Sequence, residues 1–400
     1  MIARTRRLDR DVDLLAAAGT GGLLWERGGF GLAARGQVDR VPFAEIDQVL
    51  AGFEVDDEIG LPGSGPVAFA ALPFRPDADA AATIPEVVVG RGEDGSRWIT
   101  TIGADAPPEM HRLAERTPGP VRRGQGPSHF DVRASQPPEW WGDLVAVAAK
   151  HITARGTLRK VVLAREVVVT ADRAFDVAAV VARLSSGYPG CYVFSVDGFV
   201  GASPELLVSR QGDVVRSHPM AGTAPRGGDP AADAQLAARL LSSTKNREEH
   251  QITIDMVHDT LLPWCSYLDD EAEPSVVAVA NVQHLATMVE GRLSEPAPSV
   301  TELVTALHPT PAVCGDPRDQ ALAFIAANER LDRGRYTGTV GWVDGRGNGS
   351  WAVSVRCADI DGTVARVCAG NGIVADSDPD TELAETRLKL QALLGALVFP

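Results

Sequence analysis

Cysteine is scarce and scattered: Cys191, Cys265, Cys314, Cys357 and Cys368 are the five in 400 residues, and no two form a CxxC pair. An odd, dispersed set argues against a disulfide framework and a thiolate zinc site, and predicts free thiols in a reducing compartment. Long apolar runs are missing, so no membrane span is predicted. The opening MIARTRRLDRDVDLL has basic residues but no apolar segment of a secretory signal. The expectation is a cytoplasmic protein with no membrane partner. Positive charge is in deficit, with 38 Lys and Arg against 53 Asp and Glu and a formal net charge of −15. That deficit argues against a nucleic-acid partner. An acidic chain that binds an anionic small molecule needs a local basic cluster or a bridging cation.

What is present is an apolar fraction of 44%, enough for a large core. Apolar runs at 30–34, 67–73 and 87–89, with a hairpin pairing 86–90 and 98–102, predict a β-rich first part. The Pro- and Gly-rich stretch 105–138 reads as a connection with one short helix at 110–115. Beyond it, helices are predicted at 140–155, 174–184, 300–307, 320–327 and 379–396, the last capped by Asp378 with Pro379 at its first position. Strands are predicted at 160–170, 191–196, 199–202, 206–210, 214–218, 275–280, 285–293, 339–342, 350–358 and 363–369. The connections are mostly short hairpins, so the expected fold is α/β (α+β), with large, mainly antiparallel sheets and helices on their outer faces. Residues 1–138 are expected to be a β-rich part of the same fold, and 139–400 to carry the chemistry.

The stretch 217–254 carries the densest set of candidate residues. Pro219-Met220-Ala221-Gly222-Thr223 reads as a loop with backbone N–H groups free to hold an anion. A single long helical pattern follows, carrying Lys245, Arg247, Glu248, Glu249 and His250. In the last helix, Glu382, Glu385 and Lys389 fall at i, i+3 and i+7 and share one face. Two carboxylates there suit Mg²⁺, which prefers oxygen ligands; a solvated face with a Glu385–Lys389 ion pair is the plainer reading. Lys160 opens an apolar strand, as a solvated edge lysine or a buried general base. Glu205 follows Gly201-Ala202-Ser203-Pro204, as surface charge or as an acid in an apolar pocket. Arg356 stands among small and apolar neighbours and needs a partner, either a structural carboxylate or a bound one. Gly370-Asn371-Gly372 reads as a turn or as an anion-binding backbone. His284 and His308 are possible acid/base or orienting groups; neither has a second metal ligand at a recognised spacing.

In order along the chain, Lys160–Arg165 (KVVLAR), Gly201–Glu205 (GASPE), Pro219–Thr223 (PMAGT), Glu249-His250, His284–Thr287 (HLAT), His308–Ala312 (HPTPA), Val340-Gly341-Trp342, Arg356-Cys357-Ala358, Ala369–Ile373 (AGNGI) and Glu385-Thr386 resemble the chorismate-utilising enzymes. The resemblance covers about residues 140–395, and within that family it is most similar to the isochorismate synthases. It implies a fold of two antiparallel sheets with outer helices and a Mg²⁺-dependent site. It also implies that Glu249 and Glu385 bind Mg²⁺, with Glu382 close by. Arg356, Lys389, Tyr336, His284 and the chain near Gly222, Thr223, Ala312 and Gly370 would surround the substrate carboxylates. Lys160 matches the family's base for water and Glu205 its acid. Hydration at C2 of chorismate with loss of the C4 hydroxyl needs both.

Ala221 stands where aminodeoxychorismate synthases carry a nucleophilic lysine, and Lys160 where anthranilate synthases carry glutamine. Both favour water as the nucleophile. Met220 and Leu331 depart from the usual residues as packing variants. Salicylate synthase, which goes on to eliminate pyruvate, stays open at this point. An anthranilate-type component and a silent chorismate-binding paralogue are the weaker alternatives. The product's destination (menaquinone, a catechol siderophore or salicylate) is left open. A monomer without a glutaminase subunit is expected.

Overall fold

A computed structural model describes residues 1–103, 126–279 and 281–398. The helix expected at 110–115 lies outside the described residues. Among the described residues the strands form three sheets, of 13, nine and three strands. One pairing is parallel, Ile2–Arg7 beside Glu54–Asp57. The neighbours along the rest of the two large sheets run antiparallel, as the short hairpins predict.

The two large sheets face each other. Trp25, Phe194 and Phe199 of the larger one pack on Val67, Phe69 and Trp342 of the smaller, where alternate residues of each strand turn inward. Helices Val177–Gly187 and Pro379–Val398 cover the outer face of the larger sheet, setting Val180, Leu184, Leu390 and Leu393 against Val167, Val169 and Val367. Helix Val300–Leu307 covers the other outer face. Ser299 and Glu302 close its first turn as a capping box, and Val300, Leu303, Val304 and Leu307 form its apolar stripe over buried Trp351. The last helix starts as expected: Pro379 takes the first position and Asp378 Oδ1 accepts from Thr381 N at 2.9 Å. Both large sheets draw strands from either side of residue 138. Leu23–Arg27 pairs with Tyr192–Val196, and Val67–Leu72 with Thr339–Asp344.

Several elements differ from the sequence reading, each for a local reason. The single strand expected at 350–358 is two, Gly349–Val353 in the nine-stranded sheet and Cys357–Asp361 in the 13-stranded one. Between them Arg356 takes a left-handed φ of 52°, which turns the chain from one sheet to the other. The strand expected at 285–293 likewise divides into Val282–Ala286 and Val289–Leu293. The long helix after residue 223 breaks at Ser243, whose extended backbone ends Pro230–Ser242 and whose hydroxyl caps Thr244–Leu261. The supposed loop at 219–223 is mostly strand: Met220–Pro225 pairs with Val282–Ala286 in a three-stranded sheet that hydropathy did not reveal. The strand expected at 363–369 runs as Val364–Ile373, so Gly370-Asn371-Gly372 is ladder, not turn.

Candidate active site

Three chain crossings between sheets lie side by side. Pro204-Glu205 links Phe199–Ser203 of the 13-stranded sheet to Leu206–Gln211 of the nine-stranded one. Ser354–Arg356 makes the same passage in the other direction, and the two are stitched by Ala202 N to Arg356 O at 3.1 Å and Val353 N to Glu205 O at 3.1 Å. Pro219 carries the chain from Val214–His218 into the small sheet. These seams surround a cavity of about 230 Å³.

The cavity gathers residues from the whole second part of the chain. Glu205, Gly222, Thr223, Glu249, His284 and Ala312 line it, as do Tyr336, Arg356, Gly370, Glu382, Glu385 and Lys389. Lys160 stands just behind this lining. Strand periodicity puts it on the same face as Val162, which lines the cavity. Its side chain is 1% exposed and its Nζ lies 2.7 Å from Glu249 Oε1. The solvated-edge reading of Lys160 is therefore wrong: the register of its strand buries it, and Glu249 supplies the counter-charge. Gly372 makes room for this pair, because a Cβ there would meet Lys160 Cε at 2.6 Å and Glu249 Oε1 at 2.9 Å. Burial works to raise the Glu249 carboxyl, but Lys160 foremost, then Lys389 and Lys245, hold it below the usual value.

Glu205 has the opposite setting. It is 6% exposed, and its Oε1 accepts only a long contact from Met220 N at 3.5 Å. Burial outweighs that contact and the charges of Lys160 and Arg356, and pushes its carboxyl up to about 7. It is a buried acid able to hold its proton near neutrality.

His284 sits opposite Thr223 across the small sheet, at the bulge where Gly222 takes a φ of 71°. Arg356 Nη2 lies 3.0 Å from His284 Nε2, while Nδ1 lies 3.1 Å from Gly222 O and 3.2 Å from Thr223 Oγ1. A guanidinium only donates, so Nε2 accepts and Nδ1 carries the proton. Burial, then the charges of Arg356 and Lys389, push this histidine down to about 3 and keep it neutral. The partner that Arg356 needed is thus an imidazole, and this leaves the rest of its fork free for an anion.

On the last helix, Lys389 bonds Glu385 at 2.7 Å, Gly370 O at 3.0 Å and Asn371 Oδ1 at 2.8 Å. The Glu385–Lys389 pair is present, but on a cavity wall and not on a solvated face. Glu382 accepts from Asn371 at 2.9 Å and Ser377 at 2.9 Å; burial and then neighbouring Glu385 raise its carboxyl. Glu248 is exposed, whereas its neighbour Glu249 turns inward. Burial likewise drives the Tyr336 phenol well above its ordinary value.

His308 does not belong to the site. Its Nε2 donates to Pro73 O and Phe74 O, each at 3.1 Å, and its ring faces a separate cavity beside Trp264. Asn246 and Thr337 line the active cavity and were not singled out. Asn246 follows the capping Ser243 by three residues, a spacing that places it in the first helical turn and could have flagged it. Thr337 gave no local signal.

The donor set suits a hard divalent cation. Glu249, Glu382 and Glu385 bring only oxygen ligands to one cavity, and the mutual repulsion of Glu382 and Glu385 is of the kind a cation relieves. As they stand, each is held by its own lysine or amide, and no three His, Cys, Asp or Glu among the described residues form a closed metal cluster.

A family model described as chorismate binding enzyme matches residues 37–398. A Mycobacterium tuberculosis protein provisionally named isochorismate synthase MenF is 41% identical over 348 residues, covering 84% of this chain and 87% of that protein. Isochorismate synthase DhbC of Bacillus subtilis is 36% identical over 84% of this chain and 81% of its own length. The solved structure of MenF, the menaquinone-specific isochorismate synthase of Escherichia coli, superposes with a TM-score of 0.80 at 26% identity, over 98% of this chain and 94% of that one. This chain belongs to the chorismate-binding enzyme family.

Proposed function

We propose that the chain is a Mg²⁺-dependent isochorismate synthase, which adds water at C2 of chorismate and expels the C4 hydroxyl with a shift of the ring double bond. One observation carries this reading most directly: the buried Glu205, pushed up to about 7, shares its seam with the cationic Arg356. An acid is needed because hydroxide is a poor leaving group, and Glu205 supplies its proton to the departing oxygen. Lys160 takes the proton of the attacking water; its amine must first separate from Glu249 and be uncharged. Arg356, aimed by His284, grips one substrate carboxylate. Lys389 and the backbone at Gly222 and Gly370 line the space for the other. Glu249 and Glu385, with Glu382 nearby, would hold Mg²⁺, which would supply the positive charge to neutralise and orient the ring carboxylate of a dianion that an acidic protein otherwise repels. Ala221 places no amine where water has to approach.

The enzyme is read as a cytoplasmic single chain without a glutaminase subunit. Its five free cysteines fit a reducing compartment. Among the described residues no helix is long and apolar enough to cross a membrane.

Incubation with chorismate and Mg²⁺, followed by chromatography of the products, tests the proposal. Isochorismate is expected, and chelation of the metal should stop its formation. Salicylate with pyruvate would mean that elimination follows; an amine product dependent on ammonia, or no conversion, would refute the assignment. Glu385→Gln should weaken Mg²⁺ binding by at least the roughly 10- to 100-fold that loss of an outer-shell partner costs, as read by isothermal titration. Unchanged affinity would remove Glu385 from the metal site.

A further inference from the structure

Arg333 stands behind the cavity wall and has no part in the lining. It is buried, as is Glu329. A guanidinium has five N–H donors, and here each has an acceptor. Nε and Nη2 meet the two Glu329 oxygens at 2.6 Å each, and Nη2 also donates to Val162 O at 2.7 Å. Nη1 donates to Val313 O at 3.1 Å and to Thr337 Oγ1 at 3.3 Å. Glu329 Oε2 additionally accepts from Ala164 N at 2.8 Å. The Phe74 ring covers the guanidinium, 4.2 Å from its centroid.

Val162, Val313 and Thr337 are all cavity-lining residues. Thr337 is a β-branched residue at a φ of 59°, a conformation held only when its surroundings impose it. Its hydroxyl accepts from Arg333 and donates to Tyr336 O at 2.6 Å. Its N–H bonds Ser354 O at 2.8 Å, and Ser354 N returns to Gly338 O at 2.9 Å. Two residues beyond Ser354 is Arg356, the other strained residue of this wall. A continuous set of hydrogen bonds therefore runs from Arg333 to the backbone that presents Tyr336 and Arg356.

The geometry points to Arg333 as a positioning residue. Paired with Glu329, it fixes the strand of Lys160, the Val313 segment and the strained Tyr336-Thr337 step relative to one another, and so sets where Arg356 and Tyr336 meet the substrate. The part that concerns substrate rests on the function proposed above. Lysine keeps the charge but has three donors and no planar fork, so it cannot make all five bonds.

Two variants and two readouts test this. Arg333→Lys should stay folded and lose about tenfold or more in kcat for chorismate, because small misplacements of binding groups are costly. The double variant Glu329→Met/Arg333→Met removes the buried pair without leaving a lone charge, so it should keep the fold and lose activity to a similar degree. In both, amide hydrogen exchange should accelerate at Thr337 and Arg356 but not in distant strands such as Val87–Arg91. The proposal is overturned if Arg333→Lys keeps kcat within twofold. It is equally overturned if exchange at those amides is unchanged, or if lost activity only tracks the unfolded fraction. Should the wild-type chain fail to convert chorismate, the function assignment falls on its own, and the exchange measurement still decides the role of Arg333.

Discussion

Glu205→Gln is expected to lower kcat by about 100- to 10,000-fold, the range that a positioned general acid supplies. Glutamine fills the same space and can bond to Met220 N, so substrate binding should change little. The pH profile provides the sharper reading. Glu205 must be protonated to donate, and burial pushes its carboxyl up to about 7. Wild-type kcat should therefore fall as pH rises through that value, and the residual activity of the variant should lack this limb. The substitution should move stability opposite to activity. The folded value lies above the ordinary 4.5, so the neutral acid's contribution is complete below 4.5 and is lost as pH rises through about 7. Glu205→Gln has no carboxylate to bury, so at pH 8 it should be more stable than wild type by up to about 3 kcal/mol. Urea unfolding at pH 5 and pH 8 checks this. An unchanged alkaline limb in the variant would mean that another group is the acid.

Lys160→Met is the second large effect. Kinetically it removes the proposed base, again worth about 100- to 10,000-fold in kcat. Structurally it leaves Glu249 without the cation 2.7 Å away. Breaking a buried pair costs about 3–5 kcal/mol when the remaining charge is uncompensated. Lys389 and Lys245 still act on Glu249, so the loss should fall toward the lower end. The sign with pH follows from the depressed Glu249 carboxyl. Its stabilisation is present above the ordinary carboxylate value and is lost as pH falls through the folded value, so variant and wild type should converge in acid. Adding Glu249→Gln should restore most of the stability and none of the turnover. Turnover within tenfold of wild type in Lys160→Met would remove Lys160 as the base, whatever the stability result.

The sequence by itself determined the features that short-range interactions govern. The Asp378 cap and the Glu385–Lys389 pair at i, i+4 were legible because each is closed within one helical turn. The ordered motifs also named the family and the residues that share the cavity. Tertiary structure decided how those residues meet. Local statistics send an edge lysine to solvent, yet strand register turns Lys160 inward, where Glu249 of a distant helix is its partner. Arg356 looked like a strand residue; it is the corner at which the chain changes sheets, and its partner is a histidine from a third sheet. Arg333 was not singled out: Glu329 lies only four residues away, but the carbonyls of Val162 and Val313 that complete its set of acceptors come from other parts of the chain, and a carbonyl carries no sequence signal. Pairing between strands far apart in the chain sets these contacts. No local window contains Lys160 with Glu249, Arg356 with His284, or Arg333 with Val162, and the register of each strand depends on all its neighbours at once.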